Sequence, residues 1–128
     1  MILGTGVDLA EVDRIRASIE RYGTRFTGRV FTEREAAYAE RKANKYERYA
    51  ARFAAKEAGM KALGTGWNGG IRWRDLEVAN LPSGRPTLAL HGVAREVADR
   101  LGVQAIHVSL THTSGHALAY VVLEGKEA

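Results

Sequence analysis

No cysteine occurs in the 128 residues, and there are only two prolines, Pro82 and Pro86. The first absence excludes a disulfide framework, a thiol nucleophile and any metal site that needs a cysteine ligand. The second leaves long stretches free to run as unbroken helix or strand. No apolar run approaches the ~20 residues of a membrane-spanning helix, and MILGTGVDLAEVDR carries no basic leader. A soluble, cytoplasmic protein with no membrane contact is expected. Known catalytic signatures are also missing. Without a Gly-x-Ser-x-Gly elbow, an HExxH helix, a Rossmann fingerprint or a GxxxxGK[ST] loop, serine hydrolysis and hydride transfer have no support.

What is present suits one folded domain over 1–128, with 45% hydrophobic and 27% charged residues. The net charge of +4 is unevenly spread, with Arg14, Arg16, Arg21, Arg25 and Arg29 crowded into one short stretch. Such a run is either a solvated helix face or a landing surface for an acidic or phosphorylated partner.

Alternation from Ile2 to Leu9 predicts a strand with Gly4, Gly6 and Asp8 on one side, where the glycines let a backbone or a ligand come close. Val12, Ile15, Ile19 and Tyr22 predict a helix that Gly23 stops. Thr32 followed by Glu35 is a capping box for a short helix to about Arg41. A long helix follows from Lys45, ending at Gly64-Thr65-Gly66. A strand is expected over Ile71–Val78 with a phase slip near Asp75, then a Pro/Gly turn and a second strand from Thr87 to His91. Val93 to Leu101 reads as a helix closed by Gly102, and strands are expected around Ile106–Leu110 and Ala117–Leu123. The layout is α+β: helices packed on a small, mainly antiparallel sheet.

Two carboxylates occupy odd places. Glu57 shares a helix stripe with Tyr46, Tyr49, Phe53 and Met60, where a charge is costly unless paired, hydrogen-bonded or metal-bound. Asp8 sits on the stripped strand face. If strand and helix are neighbours, the two could hold one hard cation, with magnesium the natural choice beside a phosphorylated substrate. The structural alternatives are an intrahelical Glu57–Lys61 pair and Asp8 as a helix N-cap. Around them, Arg52, Lys56 and Lys61 supply positive charge, and Gly64-Thr65-Gly66 could offer N–H groups to an anion, although glycine there is also an ordinary helix stop. Ser109, Thr111, His112 and Thr113 gather hydroxyls and an imidazole in one segment; His112 could act as base or phosphate donor.

Four blocks then resemble one family, in its order and roughly its spacing: GTGVDLAEVDRI at 4–15, RFAAKEA at 52–58, KALGTG at 61–66 and VSLTHT at 108–113. They are similar to the holo-[acyl-carrier-protein] synthases, the small bacterial 4′-phosphopantetheinyl transferases, over about Met1 to Glu124. The resemblance implies that family's fold and a role in fatty acid biosynthesis. It also implies transfer of 4′-phosphopantetheine from coenzyme A to a serine of apo acyl carrier protein, with release of adenosine 3′,5′-bisphosphate. By the same motifs Asp8 and Glu57 would bind magnesium, and Asp8, Glu57 and Lys61 would be catalytic. Arg52, Lys61, Gly64, Thr65, Gly66, Ser109, His112 and Thr113 would line the coenzyme site, and Arg14 and Arg21 would meet the acidic carrier. A homotrimer with active sites between subunits is implied too. Two readings compete: a basic RNA or nucleotide module stacking bases on Trp67 or Trp73, and a structural subunit with no chemistry.

Overall fold

The long helix is what the rest of the chain is built around, and its composition explains how. In the computed structural model, which describes residues 1–67 and 69–126, α4 runs Lys45–Leu63. It follows β1 (Ile2–Glu11), α1 (Val12–Tyr22), α2 (Thr24–Val30) and α3 (Glu33–Glu40). Ala54, Ala55, Ala58 and Ala62 are buried along α4, and Ala117 and Ala119 are buried on the facing strand β5 (His116–Gly125). Small side chains on both partners let helix and sheet approach closely. The closest approach is at β1. A Cβ on Gly4 would lie 2.1 Å from the carbonyl oxygen of Ala62, and one on Gly6 1.9 Å from that of Ala58. The two glycines are therefore the contact surface by which β1 lies directly on the α4 backbone.

The main sheet has strand order β1-β5-β4, antiparallel throughout, with β4 spanning Val103–His112. Its inner face (Gly6 and Ala10 of β1; Ala117, Ala119, Val121 and Leu123 of β5) packs on α4. Its outer face carries Val7 and Leu9 beside their partners Tyr120 and Leu118, all four exposed. A separate hairpin, β2 (Leu76–Asn80) with β3 (Pro86–Leu90), covers the other side of α4, and α5 (Gly92–Leu101) follows it. The architecture is α+β.

Most element boundaries match the sequence reading, including the Thr32–Glu35 capping box and the Gly23, Gly64 and Gly102 stops. Three points differ. β1 continues to Glu11, so Asp8 lies mid-strand and cannot cap α1, whose N-cap is Glu11. The arginine-rich segment after Gly23 folds as a short helix, α2, which no apolar period announced. Residues Trp73–Asp75 form a 3-10 turn, so β2 begins only at Leu76 rather than at Ile71.

The polar residue that α4 sinks deepest is Lys56. Fully buried, its Nζ sits 2.7 Å from Glu35 Oε1, itself fully buried, and donates to the carbonyls of Trp73 and Leu76. Glu35 accepts in turn from the N–H groups of Thr32 and Val78, both at 2.8 Å. Every strong donor and acceptor is engaged, as burial of an ion pair demands. This cluster ties α3, α4, the 3-10 turn and β2 together.

Candidate active site

Direct packing of β1 on α4 sets Asp8 and Glu57 into one cleft of about 360 Å³, lined also by Glu11, Arg14, Phe26 and Phe53. Burial pushes the Glu57 carboxyl above the ordinary range, and the like charge of Asp8 pushes the same way; a hydrogen bond from Trp67 and the charge of Lys61 oppose them. Lys61 does not form the intrahelical pair with Glu57. Its Nζ crosses to β1, 3.1 Å from Asp8 Oδ1 and 3.0 Å from the Val7 carbonyl. An ammonium thus already rests against this acidic pair while its side chain stays more than half exposed, free to turn to a ligand.

Among the described residues no group of three such side chains is placed to hold an ion together, although Glu11 borders the same cleft. Two carboxylates are too few for calcium, which needs an oxygen cage. They fit magnesium, which keeps waters and takes its remaining oxygens from substrate phosphates. The lysine on Asp8 shows that the site calls for positive charge. On donor chemistry, Asp8 and Glu57 would hold such an ion.

The aromatic wall was not foreseen as part of the site. Trp67 stacks near Trp73 with ring centroids 4.0 Å apart, and Trp73 stacks on Phe53 at 5.0 Å. Both tryptophans lie in a segment without a recognisable motif; the only signal was their aromatic character beside a glycine-rich loop. A larger groove of about 580 Å³, lined by Trp67 and Trp73, opens among Arg29, Arg72 and Arg74. Its one carboxylate, Asp75, is already bonded to Arg72, so it offers no comparable pair of acids.

The remaining expected residues lie elsewhere. Arg52 is five residues before Glu57, hence about 140° away around the helix. It is buried, with its guanidinium 3.9 Å from the Tyr38 ring centroid and Nη2 2.7 Å from Asn80 Oδ1; its buried Nε has no partner. With His112, Arg48, Asn80 and Gly84 it lines a second, smaller cavity of about 160 Å³. His112 Nδ1 lies 2.9 Å from Glu47 Oε1, at the opposite end of α4 from Lys61. Ser109 is exposed on β4, and Thr113 Oγ1 accepts from the N–H groups of Gly115 and His116 in the β4–β5 turn. Gly64 spends its N–H on the Met60 and Lys61 carbonyls, so at that position the helix stop is real and no donor is left for an anion. Thr65 and Gly66 follow, exposed beside it. Lys56, inside the Glu35 cluster, cannot reach a ligand. Arg14 borders the carboxylate cleft, and Arg21 lies exposed in the last turn of α1.

The model of the 4′-phosphopantetheinyl transferase superfamily matches residues 4–121. The chain belongs to that superfamily. It is 67% identical over 124 residues to the holo-[acyl-carrier-protein] synthase of Solibacter usitatus, covering 97% of this chain and 99% of that one. Among solved structures it resembles the holo-[acyl-carrier-protein] synthase of Neisseria meningitidis, with a TM-score of 0.88 at 30% identity over 97% of this chain and 99% of the other. It is also similar to the Bacillus anthracis synthase in complex with CoA (3′,5′-ADP), with a TM-score of 0.79 at 34% identity, covering 98% and 99%. In transferase terms, the four sequence blocks fall on β1 with the start of α1, the centre of α4, its end, and β4 with the loop that follows.

Proposed function

We propose that this protein is a holo-[acyl-carrier-protein] synthase acting in fatty acid biosynthesis in the cytoplasm, with residues 1–128 as one transferase domain. In the reaction the serine oxygen of apo acyl carrier protein attacks the β-phosphorus of coenzyme A. A new P–O bond forms to serine, and the bond from that phosphorus to the oxygen bridging the two phosphates breaks. Adenosine 3′,5′-bisphosphate leaves with the bridging electron pair, and the serine proton passes to a base. The observation that carries this reading is the meeting of Asp8 and Glu57 in one cleft with Lys61 against Asp8, within a chain of this superfamily.

Transfer of this kind needs alignment and charge stabilisation more than covalent chemistry. Asp8 and Glu57 would hold magnesium, which when bound supplies positive charge beside the pyrophosphate. Lys61 swings from Asp8 to the phosphate oxygens. Glu57, directly or through a water, takes the serine proton. Arg14 at the cleft rim and Arg21 along α1 receive the acidic carrier.

Arg52 and His112 cannot reach the carboxylate cleft of their own protomer, yet they line a cationic cavity of their own. A homotrimer in which this cavity abuts a neighbour's carboxylate cleft would complete the coenzyme site. The exposed apolar face of Val7, Leu9, Leu118 and Tyr120 supports such self-association. The test is to mix protein, coenzyme A, magnesium and apo carrier protein and to weigh the carrier. A gain of one phosphopantetheine is expected; no gain with several carriers overturns the reading. Asp8→Ala and Glu57→Ala should each remove the gain while leaving the unfolding transition intact.

A further inference from the structure

We infer that Glu47 is a positioning residue: it holds the His112 imidazole so that Nε2 faces a phosphate of coenzyme A. The inference rests on the reading of the Arg52–His112 cavity as part of the coenzyme site. Glu47 stands in the first turn of α4 and His112 at the last position of β4, 65 residues apart in sequence. The two side chains are equally half-buried, at 24% and 23% exposure, with Oε1 and Nδ1 2.9 Å apart. A carboxylate only accepts, so Nδ1 carries the proton and the ring cannot flip without losing the bond. That leaves Nε2 for a ligand.

The cavity beside the ring specifies the ligand's charge. Arg52 is 3% exposed and keeps a buried Nε with no partner. Arg48 spends Nε on Asn44 and Nη1 on the Tyr38 hydroxyl. Neither arginine pairs with a carboxylate among the described residues. Two uncompensated guanidinium groups and an imidazole around about 160 Å³ suit a phosphate oxygen, which Nε2 meets as a donor when both ring nitrogens carry protons, one bonded to Glu47 and one to the phosphate. Among the described residues Glu47 is the acid that bonds a side chain lining this cavity.

The test is steady-state kinetics on Glu47→Ala, Glu47→Gln, His112→Ala and the Glu47→Ala/His112→Ala double variant. Glu47→Ala is expected to raise the KM for coenzyme A roughly tenfold, with kcat and the KM for the carrier within about twofold. Glu47→Gln still accepts from Nδ1–H and is expected to restore that KM to within about threefold of the parent. The double variant should be no worse than His112→Ala alone, because Glu47 acts only through the ring. Additive losses, an unchanged KM in Glu47→Ala, or comparable rises in both KM values together with a fall in kcat each overturn the inference. If His112→Ala itself leaves the coenzyme KM unchanged, the reading of the cavity fails, and with it the basis for Glu47. A rise in His112→Ala without one in Glu47→Ala sinks the positioning role alone.

Discussion

Gly6 has no room for a side chain, because the Ala58 carbonyl already occupies the place a Cβ would take. Gly6→Ala must push β1 off α4, and overpacking of this kind costs about 1–3 kcal/mol or more. Two residues further along the same strand sits Asp8, so the displacement also separates it from Glu57. Activity should therefore fall by more than the stability loss alone accounts for, measured as specific activity at a temperature where the variant is still fully folded. Gly23→Ala, with open space at its Cβ, makes the control, although its positive φ adds local strain. A second single-residue effect is electrostatic. Burial alone would raise the Glu77 carboxyl, but hydrogen bonds from Thr32 (2.6 Å) and His91 (3.1 Å), with the charge of His91, outweigh it and leave the group below its ordinary value. A depressed carboxyl contributes stability that is present above its unfolded value and lost as pH falls through the folded one. Acid unfolding of Glu77→Gln should accordingly depend less steeply on pH below about 4.5 than that of the parent, read as the unfolding midpoint in urea at each pH.

At the level of the elements, α4 shows how far sequence alone could go. Its length, its glycine stop and the presence of an acid on an apolar stripe were legible, because a single helix face has a fixed period. What could not be read was which of two adjacent charged residues is the buried one. Glu57 and Lys56 differ by about 100° around the axis, and α4 is covered on both sides, by the main sheet and by the β2–β3 hairpin. The second cover comes from residues tens of positions later, so the period of α4 itself cannot report it. The same argument explains Gly59. A Cβ there would lie 2.8 Å from Leu76 Cδ2 and 3.0 Å from Leu88 Cδ2 of the hairpin. The Asp8–Glu57 meeting was inferable only through the two glycines that allow close approach, and Arg52 points away from it because five residues of helix turn it about 140° from Glu57, an angle that a sequence motif does not report. Removing Lys56 tests the hairpin's anchorage. Burial already holds its ammonium below the ordinary lysine range against the pull of Glu35. Lys56→Met leaves Glu35 charged and unpaired inside and two carbonyls without a donor, which should cost about 3–5 kcal/mol in urea unfolding. A loss below about 1 kcal/mol would show that the cluster is not what joins hairpin to helix.

For the molecule as a whole, the distribution of the two cavities is the feature with the most consequence. One protomer carries the carboxylate cleft near the Lys61 end of α4 and the Arg52–His112 cavity towards the Glu47 end, with ten residues, or about 15 Å of helix, between Glu47 and Glu57. A single coenzyme bridging both within one chain would have to pass around the helix. Two copies meeting through the apolar outer face of the sheet avoid that detour. If each site takes its acids from one subunit and its imidazole from the next, an inactive variant and a coenzyme-binding variant should repair one another when assayed at low coenzyme A. Glu57→Ala lacks the first half and His112→Ala impairs the second. After the two are unfolded together at equal concentration and refolded, about one site in four draws both intact halves from different neighbours, so activity should recover to roughly a quarter of the parent's. The comparison is with each variant refolded alone and with the two mixed without subunit exchange. Substituting Tyr120→Glu on the outer face, which should leave the inner core of β5 untouched, is expected to abolish both self-association and this recovery, followed by sedimentation and by the mass of the carrier. A mixture no more active than its better component, from variants shown to assemble together, would mean that each chain builds its site alone and that His112 must reach the coenzyme by another route.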